Sequence, residues 1–186
     1  MKYLIFILLI STSSHLYSQT VVDMAGDRQS HHLKNGQYYV KDVNNFMQPY
    51  LGTWRYVDGN EEFRIILQKE TKYRDVDTDY SIDYYIDGLK IQYQKFENGN
   101  LIYSSNIDSY PTGIIKEFGK VNMSFTDYER NNEIFPVDLI LESTGLNEFN
   151  KLKFILNRFE RRNTYHDEHP NEPYFSVPND ITMERM

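Results

Sequence analysis

The sequence predicts an all-β protein, an antiparallel up-and-down barrel of about 8–10 strands preceded by a short helical turn, and three observations carry that expectation. Aromatic residues make up 15% of the chain, with 16 Tyr and 11 Phe beside a single Trp, and such rings favour the half-buried surface of a sheet. Apolar and polar residues alternate in successive runs from Leu51 onward. Turns containing Gly or Asn punctuate those runs, and no long amphipathic helix interrupts them, which excludes βα alternation and a parallel α/β fold.

The elements follow in order. Residues 1–18 read as a signal peptide: Lys2 precedes the apolar run Tyr3 to Ile10, small polar residues follow, and Ser18 is an acceptable residue at which to cut. The apolar run is shorter than the roughly 18 residues of a membrane-spanning helix. Without a cysteine the chain has no site for a bacterial lipid anchor, so export to the periplasm or beyond the cell is expected without a membrane anchor. Residues 19–42 are polar and unpatterned and read as a flexible leader or an extended strap. Residues 43–186 form the expected barrel domain. Val43 to Tyr50 suits one helical turn capped by Asp42 or Asn44 and ended near Pro49.

Leu51 to Val57 leads through Asp58-Gly59-Asn60 into Glu61 to Glu70, a hairpin whose turn residues tolerate positive φ and whose return strand puts Phe63, Ile65 and Leu67 on one face. Tyr80, Ile82, Tyr84 and Ile86 alternate with polar residues, and after Gly88 so do Leu89, Ile91 and Tyr93. Asn98-Gly99 turns into Leu101 to Ser105, and Gly119-Lys120 joins Ile114 to Phe118 with Val121 to Tyr128. Ile134 to Glu142 presents Phe135, Val137, Leu139 and Leu141 on one face, with Pro136 suited to an edge or strand start. A turn at Ser143 to Asn147 precedes an alternating run from Lys151 to Arg161. In the proline-containing tail, Tyr174 to Val177 and Ile181 to Met186 are candidate short strands.

Composition narrows the function classes. With 27 acids against 20 bases the chain is acidic, and its one basic cluster, Arg158 with Arg161 and Arg162, lies beside Glu160, so nucleic acid is disfavoured as a partner. The absence of Cys removes thiol nucleophiles, and no nucleophile elbow or phosphate-cradling Gly-rich loop is present. No catalytic residue is assigned. Asp83, Asp87, Glu117 and Asp138 lie on strands and could meet as an acid/base pair, but a chain rich in acids yields such pairs by chance.

Two metal patterns fail on detail. Asp75, Asp77 and Asp79 have the one-apart spacing that opens a calcium loop, yet Tyr80 and Ile86 stand where the loop needs Gly and Glu. His166 and His169 are three apart, off any helix and followed by Pro170, which lacks the geometry of a helical zinc motif. No metal and no cofactor is assigned.

The segment Tyr50-Leu51-Gly52-Thr53-Trp54 resembles the start of a lipocalin-like (calycin) barrel, in which a helical turn precedes Gly-x-Trp on the first strand. More of the chain is similar to an uncharacterised family of exported Bacteroidetes proteins, domain of unknown function 6705. The matching stretches are Tyr39 to Asn45, Leu51 to Trp54, Glu62 to Glu70, Tyr80 to Asn106 and Pro178 to Met183. That family carries no assigned activity. The calycin resemblance implies a structural role for Gly52 and Trp54, with the indole plugging one end beneath an Arg from a late strand, for which Arg158 and Arg185 both qualify.

Trp54 also qualifies as a ligand contact. Tyr80, Tyr84, Tyr93 and Tyr103 lie at alternating positions on neighbouring expected strands, where their rings either line a pocket or pack as core. Two functions stand against each other. One is non-catalytic binding of a small apolar or amphipathic molecule in a hollow barrel. The other is a protein-interaction or envelope-associated structural module whose barrel is filled by Phe63, Ile65, Leu67, Phe154 and Leu156.

Overall fold

The computed structural model describes residues 19–27, 29–143, 145, 149–158 and 164–186. The expected signal peptide therefore lies outside the described residues, as do most of the turn after Ser143 and the end of the run expected to reach Arg161.

Among the described residues, eleven strands form one mixed sheet. They are β1 (Thr20–Asp23), β2 (Tyr38–Lys41), β3 (Gly52–Asp58), β4 (Glu61–Asp77), β5 (Ile82–Glu97), β6 (Asn100–Ser104), β7 (Ile114–Glu117), β8 (Lys120–Asp127), β9 (Glu133–Glu142), β10 (Lys151–Leu156) and β11 (Ile181–Arg185). Their spatial order is β1-β2-β5-β4-β3-β11-β10-β9-β8-β7, and β6 also pairs with β5, along its Gln94 to Glu97 end. The expectation of a purely antiparallel sheet is corrected at one edge. β1 pairs with β2, and β2 with β5, in parallel, because the strap reaches β5 by a long excursion rather than a hairpin turn. These two strands lie in the segment expected to be leader or strap, and they raise the count above ten.

Smaller corrections follow the same logic. Gly88 does not end a strand: β5 runs straight through it, and the irregularity falls on β4, where the pairing slips between Glu70 and Tyr73 and Lys72 takes φ +55°. Thr164–Glu168 form a short helix, α1, in the tail expected to be loop, and only the second of the two candidate tail strands forms, as β11. The helical turn is a 3-10 turn at Gln48–Tyr50, and Asp42 anchors its approach by accepting the Phe46 and Met47 amides at 2.8 and 3.1 Å.

The sheet curls over its apolar face. Phe63 on β4 meets Phe154 on β10 at 5.5 Å between ring centres, and Tyr93 on β5 meets Phe125 on β8 at 5.1 Å, although neither pair of strands is adjacent in the sheet. No continuous strand pairing joins β7 to β5. In its place the Leu89 and Gly113 backbones exchange hydrogen bonds of 2.9 and 3.1 Å as an isolated bridge, and Ser105 and Asp108 donate their amides to Tyr93 and Ile91. Gly113 is required there, since a Cβ would stand 2.8 Å from that of Leu89. No helix among the described residues is long and apolar enough to cross a membrane.

Candidate functional site

At one end of the curled sheet, β3 begins with Gly52 at φ +110°, which turns the chain sharply out of the 3-10 turn. This places Trp54 fully inside, its Nε1 donating to the Tyr50 carbonyl at 2.7 Å. Of the two arginines open to the role, Arg185 covers the indole, with its guanidinium carbon 4.3 Å from the ring centre. Its Nη1 donates to the Leu51 carbonyl at 2.8 Å, its Nη2 to that of Pro49 and its Nε to that of Phe149 at 3.4 Å. Burial pulls the pKa of this guanidinium below the usual arginine value. Arg158 instead lies over Tyr174, at 4.6 Å. Indole, guanidinium and backbone carbonyls thus pin the start of β3 to the end of β11.

The tyrosines do not converge. Tyr93 is buried at the centre of a ring cluster, 5.3 Å from Tyr103, 6.2 Å from Phe63 and 6.4 Å from Tyr128, and burial raises its hydroxyl pKa far above the normal range. Trp54 shares its cross-strand row through Ile65. Tyr84 lies on the same strand as Tyr93 but about 30 Å along it. There it lines a separate cleft of about 370 Å³ with Tyr73, Asp75, Ile86 and Tyr110. Tyr80, at 77% exposure, stands in the turn between β4 and β5. Tyr93 and Tyr103 are packed together, while Tyr80 and Tyr84 belong elsewhere.

A larger cleft of about 530 Å³ opens near the β3–β4 and β5–β6 turns. Its apolar lining includes Tyr56, Phe63, Ile102, Phe175 and Ile181, and its charged lining includes Asp58, Glu61, Glu97 and Lys95. One wall is the tail between Pro173 and Asn179, fastened by buried Asp127, which accepts the Ser176 amide at 2.8 Å and the Ser176 hydroxyl at 2.5 Å. Lys95 joins the same wall, donating to the Ser176 carbonyl at 3.2 Å and pairing with Glu129 at 3.1 Å. Sequence reasoning placed only Phe63 of this set. The available signal was the pair of Asn- and Gly-containing turns flanked by acids, Asp58 to Glu61 and Glu97 to Asn100, which the hairpin topology brings to one end.

A polar cluster holds the strap. Asp87, almost wholly buried, accepts the Tyr39 hydroxyl at 2.5 Å, the Lys72 amide at 3.0 Å and the Asp42 amide at 3.2 Å. Lys69 lies 3.1 Å from Asp42 and 3.5 Å from Asp87, supplying the cation that two buried carboxylates need. The phenol of Tyr39 is pushed well above its ordinary value, by burial first and then by donating to Asp87. With every Asp87 contact directed at the strap or the β4 bulge, this cluster is a fastening.

Fold and site together define a class: a mixed β-sheet protein with a ring-packed core, one end pinned by a tryptophan under an arginine, and a cleft at the hairpin turns. The chain belongs to the Family of unknown function (DUF6705), whose family model matches residues 1–186. It matches no curated protein and no solved structure.

Proposed function

We propose that the protein is an exported, non-catalytic recognition module built on a filled, lipocalin-like barrel. In this reading β3, β4, β5 and β7 to β11 make up the barrel, the Leu89–Gly113 bridge is its seam, and β1 and β2 strap its outside. The observation that carries it is the interior. Phe63, Ile65, Leu67, Phe154 and Leu156 are all at most 3% exposed and stand where a carrier barrel keeps its ligand. Function then lies on the outer surface and at the mouth, as in the interaction or envelope-associated alternative. The mouth cleft favours a second reading, in which a small apolar or amphipathic molecule binds there rather than inside, because its size falls within the roughly 300–1,000 Å³ of small-molecule sites.

Native mass spectrometry of the protein isolated from its own host tests the proposal. The expected result is the bare polypeptide mass, or a polypeptide partner lost on dilution. A stoichiometric apolar molecule released only on unfolding would overturn the filled interior.

A further inference from the structure

The mouth cleft has an apolar floor and an unbalanced rim, and the imbalance specifies what it takes. On the floor, Phe63 and Ile181 are buried, while Ile102 is 57% exposed beside the opening. Two of the ionic groups in the lining are already matched. Glu62 is shared by Arg55, at 3.0 Å, and Arg64, and Lys95 is held by Glu129.

That leaves Asp58, Glu61 and Glu97. The register puts Asp58 directly opposite Glu61 and Glu61 directly opposite Glu97, so three carboxylates form one row across β3, β4 and β5. None of them has an ion pair or side-chain hydrogen bond among the described residues. Like charges placed directly opposite one another cost a sheet stability. Threonine or lysine at any of the three positions would pair better, so the row is a cost to the folded chain that a bound cation would offset.

The row is too spread for one metal ion. Three neighbouring strands span about 10 Å, whereas a hard cation needs its oxygens within about 2.6 Å. Among the described residues no group of acids or histidines is placed as a metal cage. A compact organic cation carried on an apolar body matches both halves of the site, the head facing the carboxylate row and the body lying on Phe63, Phe175 and Ile102.

We infer that the mouth cleft binds a small cationic amphiphile, an ammonium or guanidinium group on a short apolar chain or ring. This rests on the mouth being the binding face, and the test separates the two ideas. Decylammonium, decanoate and decanol, each below its aggregation threshold, are titrated into the isotope-labelled full chain, and amide shifts and binding heats are followed.

Decylammonium is expected to move the Tyr56, Phe63, Lys95 and Ser176 resonances and to bind at least about tenfold more tightly than decanoate, with an advantage that shrinks as salt is added. The variant Asp58→Asn/Glu61→Gln/Glu97→Gln is expected to lose that advantage while melting no lower than the parent, since opposed charges are removed from exposed turns. Equal binding of all three probes at the cleft, or a triple variant that still prefers the amine, overturns the cationic specificity and leaves the mouth as a binding face. If no probe moves any cleft resonance, both ideas fall.

Discussion

Arg185 is the residue on which the pinned end turns. Truncation to Ala removes a guanidinium from above Trp54 and leaves the Leu51 and Pro49 carbonyls without their donor. Arg185→Ala is expected to cost about 2–3 kcal/mol in chemical denaturation, with a shifted emission from the only tryptophan. Arg185→Lys should recover less than half, because a single ammonium cannot reach carbonyls on several segments while covering the ring. Asp108 gives a pH signature. Burial pushes its carboxyl up to about 6, against the opposing pull of the Ile91 amide and the Lys90 charge. The unfolded carboxyl gives up its proton near 3.8, so between about pH 4 and 6 the folded chain holds more protons, and stability falls as pH rises through that window. Asp108→Asn, which keeps an oxygen for the Ile91 amide, should flatten this slope and gain about 1 kcal/mol at pH 7 after allowance for its partial exposure. An unchanged slope in pH-dependent unfolding would remove Asp108 from that role.

Among the elements, the Leu89–Gly113 bridge and the strap are held by different physics, and they should fail differently. The bridge is backbone against backbone, with no room for a side chain. Gly113→Ala must push β5 away and is expected to cost about 1–3 kcal/mol, with faster hydrogen exchange at the Leu89 amide. The strap depends on Asp87, whose removal leaves the Tyr39 hydroxyl and the Asp42 and Lys72 amides without their acceptor, while Lys69 keeps Asp42. Asp87→Ala is expected to cost about 3 kcal/mol and to expose the chain between β1 and β2 to protease while β8 to β10 keep their exchange protection. Uniform loss of protection would mean the strap and the main sheet form one cooperative unit. The β3–β4, β5–β6 and β7–β8 hairpins were legible because their turns carry Gly59, Asn98 with Gly99, and Gly119 at positive φ and their runs alternate, whereas the β4–β5 turn puts Ser81 there and gave no such signal. The strap was not: Tyr38 to Lys41 is too short to show a period, and its partner on β5 lies more than forty residues away.

Across the whole molecule, the ring-packed core makes a prediction about cooperativity. Phe154 touches Phe63 from one wall and Phe125 from another, at 5.5 and 5.7 Å. Phe154→Ala is expected to lose about 3–5 kcal/mol, with Trp54 emission, far-UV dichroism and exchange in β4 and β8 declining together. A variant that unfolds one wall first would show that the sheet does not behave as one core. An increased affinity for small apolar molecules in that variant would show the interior as space that the ring had filled.

Local alternation, turn chemistry and composition already specify a chain of hairpins rich in aromatic strands, with a Gly-x-Trp start following a helical turn, and these were readable because they depend on residues near one another in sequence. Which arginine covers Trp54 was undecided between Arg158 and Arg185, since each stands at the end of a late alternating run and only the pairing of β11 with β3 brings one over the ring. Whether the tyrosines form a pocket was likewise open, because alternation assigns a face and not a height along the strand. Tyr93 and Tyr84 share a strand yet stand at opposite parts of it. The cleft at the hairpin turns was legible only in its acid-flanked turns: strand register aligns Asp58, Glu61 and Glu97, but only tertiary packing brings a tail some eighty residues further on against them and sets its rings beside those carboxylates.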